Sequence, residues 1–175
     1  MIKTDRLIKD FGKQIAQGEF EPGSALPSEA DLCVRFQTSR NVMREVIKVL
    51  STKRLIDAQR HRGLFVMPND QWNYLDADVL EWALEKGANK ELISSLIEVR
   101  SLIEPTISRW AAERATAIDL VAIESSYNEM AASRSDPPAF QEADIRFHNA
   151  ILLATHNVVI QKLSDAISAL QRAIF

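Results

Sequence analysis

Hydrophobic residues recur at helical spacing through most of the N-terminal third of the chain, and this spacing predicts three helices. Gly18 ends the first helix, Ser28 and Ser39 are predicted N-caps of the second and third, and the third ends near Thr52. The positions predicted to face inward are Leu7, Ile8, Phe11 and Ile15 in the first helix, Ala30, Leu32, Cys33 and Phe36 in the second, and Val42, Val46, Val49 and Leu50 in the third.

Two short apolar runs follow these helices, and their pattern predicts a β-hairpin. The strands are predicted over residues 55–58 and 64–66, and the basic segment 59–63 joins them. Three helices followed by a hairpin form the layout of a winged helix-turn-helix, a module that places its last helix in the DNA major groove.

The rest of the chain shows helical periodicity without strand alternation, so an all-helical bundle is predicted. Gly87 ends its first helix, and Pro105 is expected to kink or break the second. Thr116 and Asp136 supply cap residues for the third and fourth helices. The last predicted helix continues to the end of the sequence without a residue that would end it, so the bundle is expected to be truncated. The predicted helices cover residues 78–86, 90–114, 117–132, 138–154 and 158–174.

The fold class predicted from these elements is mainly α, with an N-terminal winged helix-turn-helix and a C-terminal helical bundle. The domains are predicted over residues 1–68 and 78–175, with residues 69–77 as a linker. Pro68-Asn69-Asp70 marks the boundary, because polar and helix-breaking residues cluster there.

Charge divides the chain in the same way. Residues 1–68 hold twelve Lys or Arg against eight Asp or Glu, whereas residues 69–175 hold nine against sixteen. Within residues 35–62, eight residues are Lys or Arg and two are Asp or Glu. This excess of positive charge can attract a phosphate backbone. The net charge of −3 therefore conceals a basic half suited to nucleic acid and an acidic half with a different partner.

Composition excludes several other classes of protein. A single cysteine, Cys33, rules out an internal disulfide framework, and a buried thiol without a chemical role is the favoured interpretation. The first residues are charged, without the apolar run of a signal peptide, and no stretch approaches the roughly 20 apolar residues of a membrane span. A soluble cytoplasmic protein is expected, without a membrane partner.

Basic residues occupy the outer face of the third helix and the tip of the hairpin. Arg40, Arg44 and Lys48 follow one another at intervals of four, so they lie along one stripe. Each arginine taken alone is more often a solvated surface residue, but their combination in this order favours contact with DNA. The predicted DNA-binding residues are Ser28, Ser39, Arg40, Asn41, Arg44, Lys48, Arg60, His61, Arg62 and Gly63.

Charged residues also interrupt the apolar faces of two helices in the C-terminal half. Arg100 and Glu104 lie within one such face, and Asp144 and His148 lie within another. Because a buried charge is costly unless it is paired, these residues either satisfy one another or line a polar cavity. A carboxylate and an imidazole four residues apart also suit a divalent metal, although a plain hydrogen-bonded pair is the commoner arrangement.

The N-terminal motifs resemble the GntR family of bacterial transcription regulators. They are Leu26-Pro27-Ser28-Glu29, Ser39-Arg40, Arg44-Glu45 and the hairpin residues 60–66. The resemblance implies that Arg40, Arg44 and Gly63 contact operator DNA. Ala30 departs from the family pattern, since many members carry a basic residue at that position.

The C-terminal half resembles the FCD effector domain of the FadR branch of that family, and residues 71–80 narrow the resemblance to regulators of sugar-acid catabolism. The motifs are Glu98-x-Arg100-x-x-x-Glu104-Pro105, residues 110–114 and Asp144-x-x-x-His148. The resemblance implies that Arg100 and Glu104 help bind a carboxylate effector. It also implies that Asp144 and His148 bind a divalent metal, commonly zinc, with two further histidines. The chain holds three histidines, with His61 in the hairpin and His156 in a turn, so the metal site is expected to be incomplete.

The function implied is a repressor of a sugar-acid operon that binds a palindromic operator as a homodimer. A small carboxylate such as galactonate would release it. Two alternatives stay open: a regulator that senses the metal itself, and a metal-dependent hydrolase that uses Asp144 and His148. The hydrolase lacks a placed third ligand, so the regulator without enzymatic activity is the favoured hypothesis.

Overall fold

The computed structural model describes residues 3–85 and 89–162, and the chain divides into two compact units, Met1–Ala88 and Asn89–Phe175. Both are mainly helical, and the first contains a two-stranded sheet, which confirms the predicted fold class. The elements of the first unit are α1 (Lys3–Ala16), α2 (Glu29–Arg35), α3 (Arg40–Thr52), β1 (Ile56–Gln59), β2 (Gly63–Val66), a short 3-10 helix (Asn69–Gln71) and α4 (Ala77–Leu84).

Serine caps begin α2 and α3, as the sequence predicts. The Asp31 amide donates to the Ser28 hydroxyl at 3.3 Å, and that hydroxyl donates to the Asp31 carboxylate at 2.6 Å. The Val42 amide donates to the Ser39 hydroxyl at 3.4 Å. Each cap satisfies an amide that would otherwise lack a partner in the first turn of its helix. The start of α3 is therefore fixed immediately before Arg40.

The hairpin pairs β1 and β2 in antiparallel register, with Ile56 opposite Val66 and Gln59 opposite Gly63. Both strands lie within one residue of their predicted positions. The segment before α2 extends the sheet, because the Leu26 amide donates to the Leu64 carbonyl at 2.8 Å. This third segment ties the hairpin to the start of α2.

One hydrophobic core holds the helices and the hairpin of the first unit together. Met43, Val46, Ile47 and Leu50 form the buried side of α3. Val42 and Val49, which the periodicity predicts to face inward, are only half-buried, and Ala30 of α2 is exposed. The inward face is therefore rotated towards Met43 and Ile47. The remaining core residues are Leu7, Phe11, Ile15, Leu26, Leu32, Leu55, Ile56, Val66, Trp72, Val79 and Trp82.

The segment predicted as a linker, together with α4, packs onto the core of the first unit. The division between units falls after Ala88 rather than at Pro68, because Trp72, Val79 and Trp82 bury their side chains in the N-terminal core. The Trp72 indole N–H donates to the Met67 carbonyl at 2.7 Å, so burial leaves it hydrogen-bonded. Residues 69–84 are thus part of the first unit, although the periodicity alone had assigned α4 to the second.

Lys53, the residue that follows α3, links that helix to α4. Its ammonium donates to both Asp76 oxygens, at 2.7 and 2.8 Å, and to Asp78 at 2.8 Å. Asp76 is also the N-cap of α4. Burial lowers the pKa of Lys53, but the hydrogen bonds and charges of Asp76 and Asp78 outweigh it, so the pKa lies above its ordinary value.

We expect Lys53→Met to destabilise the first unit by about 1–2 kcal/mol at neutral pH, because the partly buried carboxylate of Asp76 loses its charged donor. A lysine whose pKa is raised on folding contributes its full stabilisation at pH values below its unfolded pKa of about 10.4. That contribution is lost as the pH rises through the folded pKa. The deficit should therefore shrink above about pH 10.4. Urea unfolding followed by tryptophan fluorescence measures it.

Lys9→Met is the matched control, since Lys9 lies 4.0 Å from Glu81 of α4 and both side chains are more than 40% exposed. An exposed pair of this kind contributes less than about 0.5 kcal/mol. Equal losses from the two variants would contradict the special role of Lys53, and so would a Lys53→Met deficit that grows at alkaline pH.

The second unit is all-helical over the residues described. Its helices are α5 (Lys90–Arg114), α6 (Ala117–Ala132), α7 (Pro137–Ala154) and α8 (Val158–Lys162). α7 packs against both α5 and α6. The predicted capping box is present at Thr116 and Asp119, and Asp136 caps α7.

Pro105 is predicted to kink or break the second helix of the bundle. α5 runs through it from Lys90 to Arg114, so the break is wrong, and the kink stays a prediction. The predicted helix over 158–174 is described only as far as Lys162, and its remainder lies outside the described residues, as do Gly87 and the predicted truncation. In the described part of the chain, no helix combines the length and apolar character that a membrane crossing requires.

Candidate nucleic-acid interface and effector site

The outer face of α3 is exposed along its whole length. Arg40 and Asn41 lie in the first turn, immediately after the Ser39 cap, while Arg44 and Lys48 lie one and two turns later. All four side chains are exposed, because Met43, Val46, Ile47 and Leu50 occupy the opposite side of the helix. The exposed helix start presents the positive end of the helix dipole beside the Arg40 guanidinium.

The basic side chains of α3 differ in their partners. The Arg44 Nε–H donates to a carboxylate oxygen of Glu29 at 2.7 Å, although the Arg44 side chain stays 70% exposed. Among the described residues, no carboxylate lies within 4.0 Å of the Arg40 guanidinium or the Lys48 ammonium. The face thus combines one oriented cation with others that are unpaired and ready to meet an anion.

The tip of the hairpin carries the second group of predicted DNA-binding residues. Arg60, His61, Arg62 and Gly63 are all exposed, and the Arg62 amide donates to the Gln59 carbonyl to close the turn. The Arg62 guanidinium lies over the Phe65 ring, 5.7 Å from its centroid. Gly63 has a φ of 101°, a conformation that side-chain-bearing residues rarely adopt, so glycine is required there.

Two open grooves border the hairpin, and Glu29 lines both. One, of about 550 Å³, separates α3 from the strands and includes Arg44 and Lys48 in its wall. The other, of about 560 Å³, separates the start of α2 from the hairpin and includes Ser28, Arg60 and Arg62. Six of the predicted DNA-binding residues line these grooves, namely Ser28, Arg44, Lys48, Arg60, Arg62 and Gly63, and the acidic Glu29 belongs to both walls. The other four, Ser39, Arg40, Asn41 and His61, are exposed on the same elements.

In the second unit, the four predicted effector and metal residues form a chain of contacts between α5 and α7. Arg100 and Glu104 make an ion pair on α5, with the Arg100 Nε–H donating to Glu104 at 2.6 Å. His148 Nδ1 lies 4.0 Å from Glu104, and His148 Nε2 lies 3.6 Å from Asp144. Each side chain is no more than one-third exposed. The contact between Glu104 and His148 joins the two helices.

A cavity of about 280 Å³ adjoins this chain. It is lined by Glu104, Ile107, Ser108, Phe147, His148, Ile151 and Leu152. Its wall is apolar except for the Glu104 carboxylate, the Ser108 hydroxyl and the His148 imidazole, so it can enclose a small polar molecule at one end. Arg100 and Asp144 do not line the cavity, but they contact Glu104 and His148 respectively.

Metal coordination is supported only in part by these residues. Asp144 and His148 supply one carboxylate and one imidazole, which are donor types that zinc accepts. Among the described residues, however, no cluster of three or more His, Cys, Asp or Glu is arranged to hold a metal. His156 bonds instead to Asp119 at 2.9 Å, and His61 belongs to the first unit. The side chains described fall short of a complete zinc site.

His156 and Asp119 have a structural role at the start of α6. The Thr116 hydroxyl and amide, together with the His156 imidazole, hold the pKa of the Asp119 carboxyl below its ordinary value. His156 itself has a φ of 50° in the turn between α7 and α8, which agrees with its predicted position between helices. Its bond to Asp119 connects that turn to the α6 capping box.

Sequence reasoning missed the contribution of three residues. Glu29 was recognised as part of a motif but not as the partner of Arg44, since the two lie fifteen residues apart on different helices. Ser108 and Phe147 line the cavity, yet neither interrupts its helix pattern.

Comparison with known families matches each unit separately. The family of bacterial regulatory proteins named gntR matches residues 3–66, and the FCD domain matches residues 95–175. The two matches cover the candidate nucleic-acid interface and the candidate effector site respectively. FCD domains are often associated with metals in general.

Curated relatives are transcription regulators. The chain is 58% identical over 173 residues to the galactonate operon transcriptional repressor of Escherichia coli (strain K12), covering 99% of this chain and 76% of the relative. It is 31% identical to the HTH-type transcriptional regulator LutR of Bacillus subtilis (strain 168), over 89% of this chain and 69% of the relative.

Solved structures agree on the fold. The Listeria monocytogenes protein Lar matches with a TM-score of 0.59 at 18% identity, over 99% of this chain and 73% of the other. A GntR protein of Streptococcus agalactiae matches with a TM-score of 0.50 at 22% identity, over 97% and 80%.

Proposed function

The chain belongs to the GntR family of bacterial regulators and carries an FCD domain, and from this premise we propose that it represses a sugar-acid catabolic operon. A small carboxylate such as galactonate would release it from its operator. The observation that carries the proposal is the set of exposed basic residues on the outer face of α3 and at the hairpin tip, which are Arg40, Arg44, Lys48, Arg60 and Arg62. Four of them line the two grooves beside the hairpin.

Operator contact is assigned to α3 and the hairpin. The guanidinium groups of Arg40 and Arg44 would meet base edges in the major groove, where arginine forms paired hydrogen bonds with guanine. Ser28, Ser39, Asn41 and Lys48 would position the helix through phosphates. The hairpin residues Arg60, His61, Arg62 and Gly63 would contact the backbone or the adjacent minor groove.

A homodimer on a palindromic operator is the assembly we expect. Two copies related by a twofold axis would place their α3 helices in successive major grooves. An effector can release such a dimer only by binding one arrangement of the two DNA-binding units more tightly than the other. Since it acts on DNA, the protein would work in the bacterial cytoplasm.

The effector is assigned to the cavity beside Glu104 and His148. Arg100 donates a hydrogen bond to Glu104, which lines the cavity, so an entering carboxylate could replace Glu104 as the partner of the guanidinium. The hydroxyl of Ser108 and the imidazole of His148 would hydrogen-bond to the sugar-acid hydroxyls. The apolar remainder of the cavity wall would contact the carbon chain.

A divalent metal, with zinc as the first candidate, is proposed to use Asp144 and His148 as two of its ligands. Their donor atoms suit zinc, but they supply only part of the ligand set that a zinc site needs. The release of operator DNA is therefore assigned to the side chains that bind the effector, without a role for the metal. Zinc titration by calorimetry should detect binding that His148→Ala removes. No difference between wild type and His148→Ala would contradict this assignment.

The effector assignment predicts that Arg100→Met keeps operator binding but loses release by galactonate. Loss of a charged hydrogen bond to a carboxylate should weaken effector binding about 10- to 100-fold. Fluorescence anisotropy of a labelled promoter fragment from a galactonate operon, titrated with galactonate, measures both properties.

Arg109→Met is the matched control, because Arg109 pairs with Glu113 at the same i, i+4 spacing on the same helix and is exposed. Galactonate should release the Arg109→Met protein from the operator as readily as it releases the wild type. Equal release of Arg100→Met and Arg109→Met would contradict the assignment of Arg100. Release by zinc alone would favour the regulator that senses the metal itself.

A further inference from the structure

Glu29 is an acidic residue that lines both grooves, beside basic residues that should attract phosphates. It is the first residue of α2, it borders both basic grooves, and its carboxylate accepts a hydrogen bond from Arg44 Nε at 2.7 Å. A negative charge there lowers the affinity of the surface for any DNA. Its presence therefore calls for a role other than general attraction.

Fold stability gives Glu29 only a small role, since an acidic residue in the first turn of a helix contributes about 0.3–1 kcal/mol. The Arg44 side chain is 70% exposed and the Glu29 side chain is 33% exposed. Ion pairs that are open to water contribute little to folding because the solvent screens them. The α2 helix also has its own cap at Ser28, which does not depend on Glu29.

The geometry of the pair leaves the outer edge of the guanidinium available. Arginine has five N–H groups in a rigid plane, and Glu29 is hydrogen-bonded to the one on Nε. The N–H groups of the two Nη atoms stay unbonded to Glu29, and this is the edge that can donate to O6 and N7 of guanine together. Fixing the plane at Nε also removes rotamer freedom before DNA arrives.

We propose that Glu29 is a positioning residue that orients the Arg44 guanidinium for a guanine in each operator half-site, so that it increases discrimination between sequences while weakening non-specific attraction. The inference rests on the proposed function, in which α3 enters the major groove. It adds a specificity role for a side chain that itself contacts no base.

The experiment separates the charge of Glu29 from its hydrogen-bond acceptor. Glu29→Ala removes both, whereas Glu29→Gln removes the charge and keeps an acceptor oxygen. An operator is first isolated with the wild-type protein from a random-sequence duplex pool. Dissociation constants are then measured at one fixed salt concentration for that operator and for a scrambled duplex of equal length.

We expect both variants to bind the scrambled duplex several-fold more tightly, by the same factor, since both remove one negative charge. The ratio of specific to non-specific affinity should fall about tenfold in Glu29→Ala and less in Glu29→Gln. In an Arg44→Lys background, which keeps the positive charge but has no guanidinium plane to orient, Glu29→Ala should leave the ratio unchanged.

Replacing each operator guanine by 7-deazaguanine, which lacks the N7 acceptor, identifies the base. One position should weaken the wild-type protein more than it weakens Glu29→Ala, whose Arg44 guanidinium is no longer held in a fixed orientation. Glu19→Ala is the matched control, since Glu19 also pairs with an arginine, Arg35 at 3.3 Å, away from α3. It should keep the wild-type ratio.

Equal ratios for wild type, Glu29→Ala and Glu29→Gln would show that only charge is involved and would overturn the proposal. An undiminished loss in the Arg44→Lys background would do the same, since Glu29 would then act without the Arg44 guanidinium. A wild-type protein with no preference for any selected duplex would overturn the proposed function itself, and the role of Glu29 with it.

Discussion

Alanine in place of Arg40 or Arg44 is expected to abolish specific operator binding and to leave the fold intact. A good bidentate contact between arginine and guanine contributes about 1–3 kcal/mol, which is roughly 5- to 150-fold in affinity. A dimer would lose this contribution at both half-sites, so the combined loss reaches the level of non-specific binding. Both side chains are exposed, so their removal leaves the core unchanged.

Footprinting and anisotropy on a promoter fragment measure this loss, and circular dichroism checks the fold. Lys48→Ala is the informative comparison, because a phosphate contact should weaken specific and non-specific binding equally and reduce the salt dependence by about one unit. Arg6→Ala, an exposed arginine of α1, should retain the wild-type preference. Undiminished footprints from both Arg40→Ala and Arg44→Ala would refute the assignment.

The local structure of this chain was largely predictable because it depends on neighbouring residues. Ser28 and Ser39 cap their helices, and the box at Thr116 and Asp119 forms as its spacing requires. Each feature involves atoms three or four residues apart, for which sequence and geometry are directly related. For the same reason the predicted neighbours Arg100 and Glu104 are in contact.

Contacts between distant residues could not be predicted in this way. The link from Glu104 to His148 and the pair of Glu29 with Arg44 depend on how helices pack, which no local pattern specifies. Pro105 illustrates a related limit, since α5 continues through a residue that usually ends a helix. The roles of these residues in binding stay predictions, although their positions are known.

The sequence pattern placed α4 in the second domain, whereas it packs on the core of the first unit. An apolar face shows that a helix is packed against something but does not identify its partner. Trp82 lies on α4 and is only 2% exposed, in the core formed with α1 and α3. The space for its ring exists because α1 carries glycine at position 12. A glycine within a helix pattern usually lowers helix stability, and here it marks a contact that only the tertiary structure reveals.

We expect Gly12→Ala to destabilise the first unit, although the same change at an open helix position would stabilise it by about 1 kcal/mol. A Cβ at residue 12 would lie 2.1 Å from Cζ3 and 2.6 Å from Cε3 of Trp82. The indole cannot move aside easily, because it is buried and the Lys53 ammonium lies 5.7 Å from its ring centroid. Overpacking of this kind costs about 1–3 kcal/mol or more.

Urea unfolding of the intact chain, followed by tryptophan fluorescence, measures the change, and a fall of about 5–20 °C in Tm should accompany it. Trp82→Leu in the Gly12→Ala background tests the cause, because a smaller side chain removes the clash. The double variant should be more stable than the sum of the two single losses predicts, which is a coupling that distant residues do not show. A Gly12→Ala protein at least as stable as wild type would mean that α4 does not pack on α1 as described, and the assignment of residues 69–84 to the DNA-binding unit would fail with it.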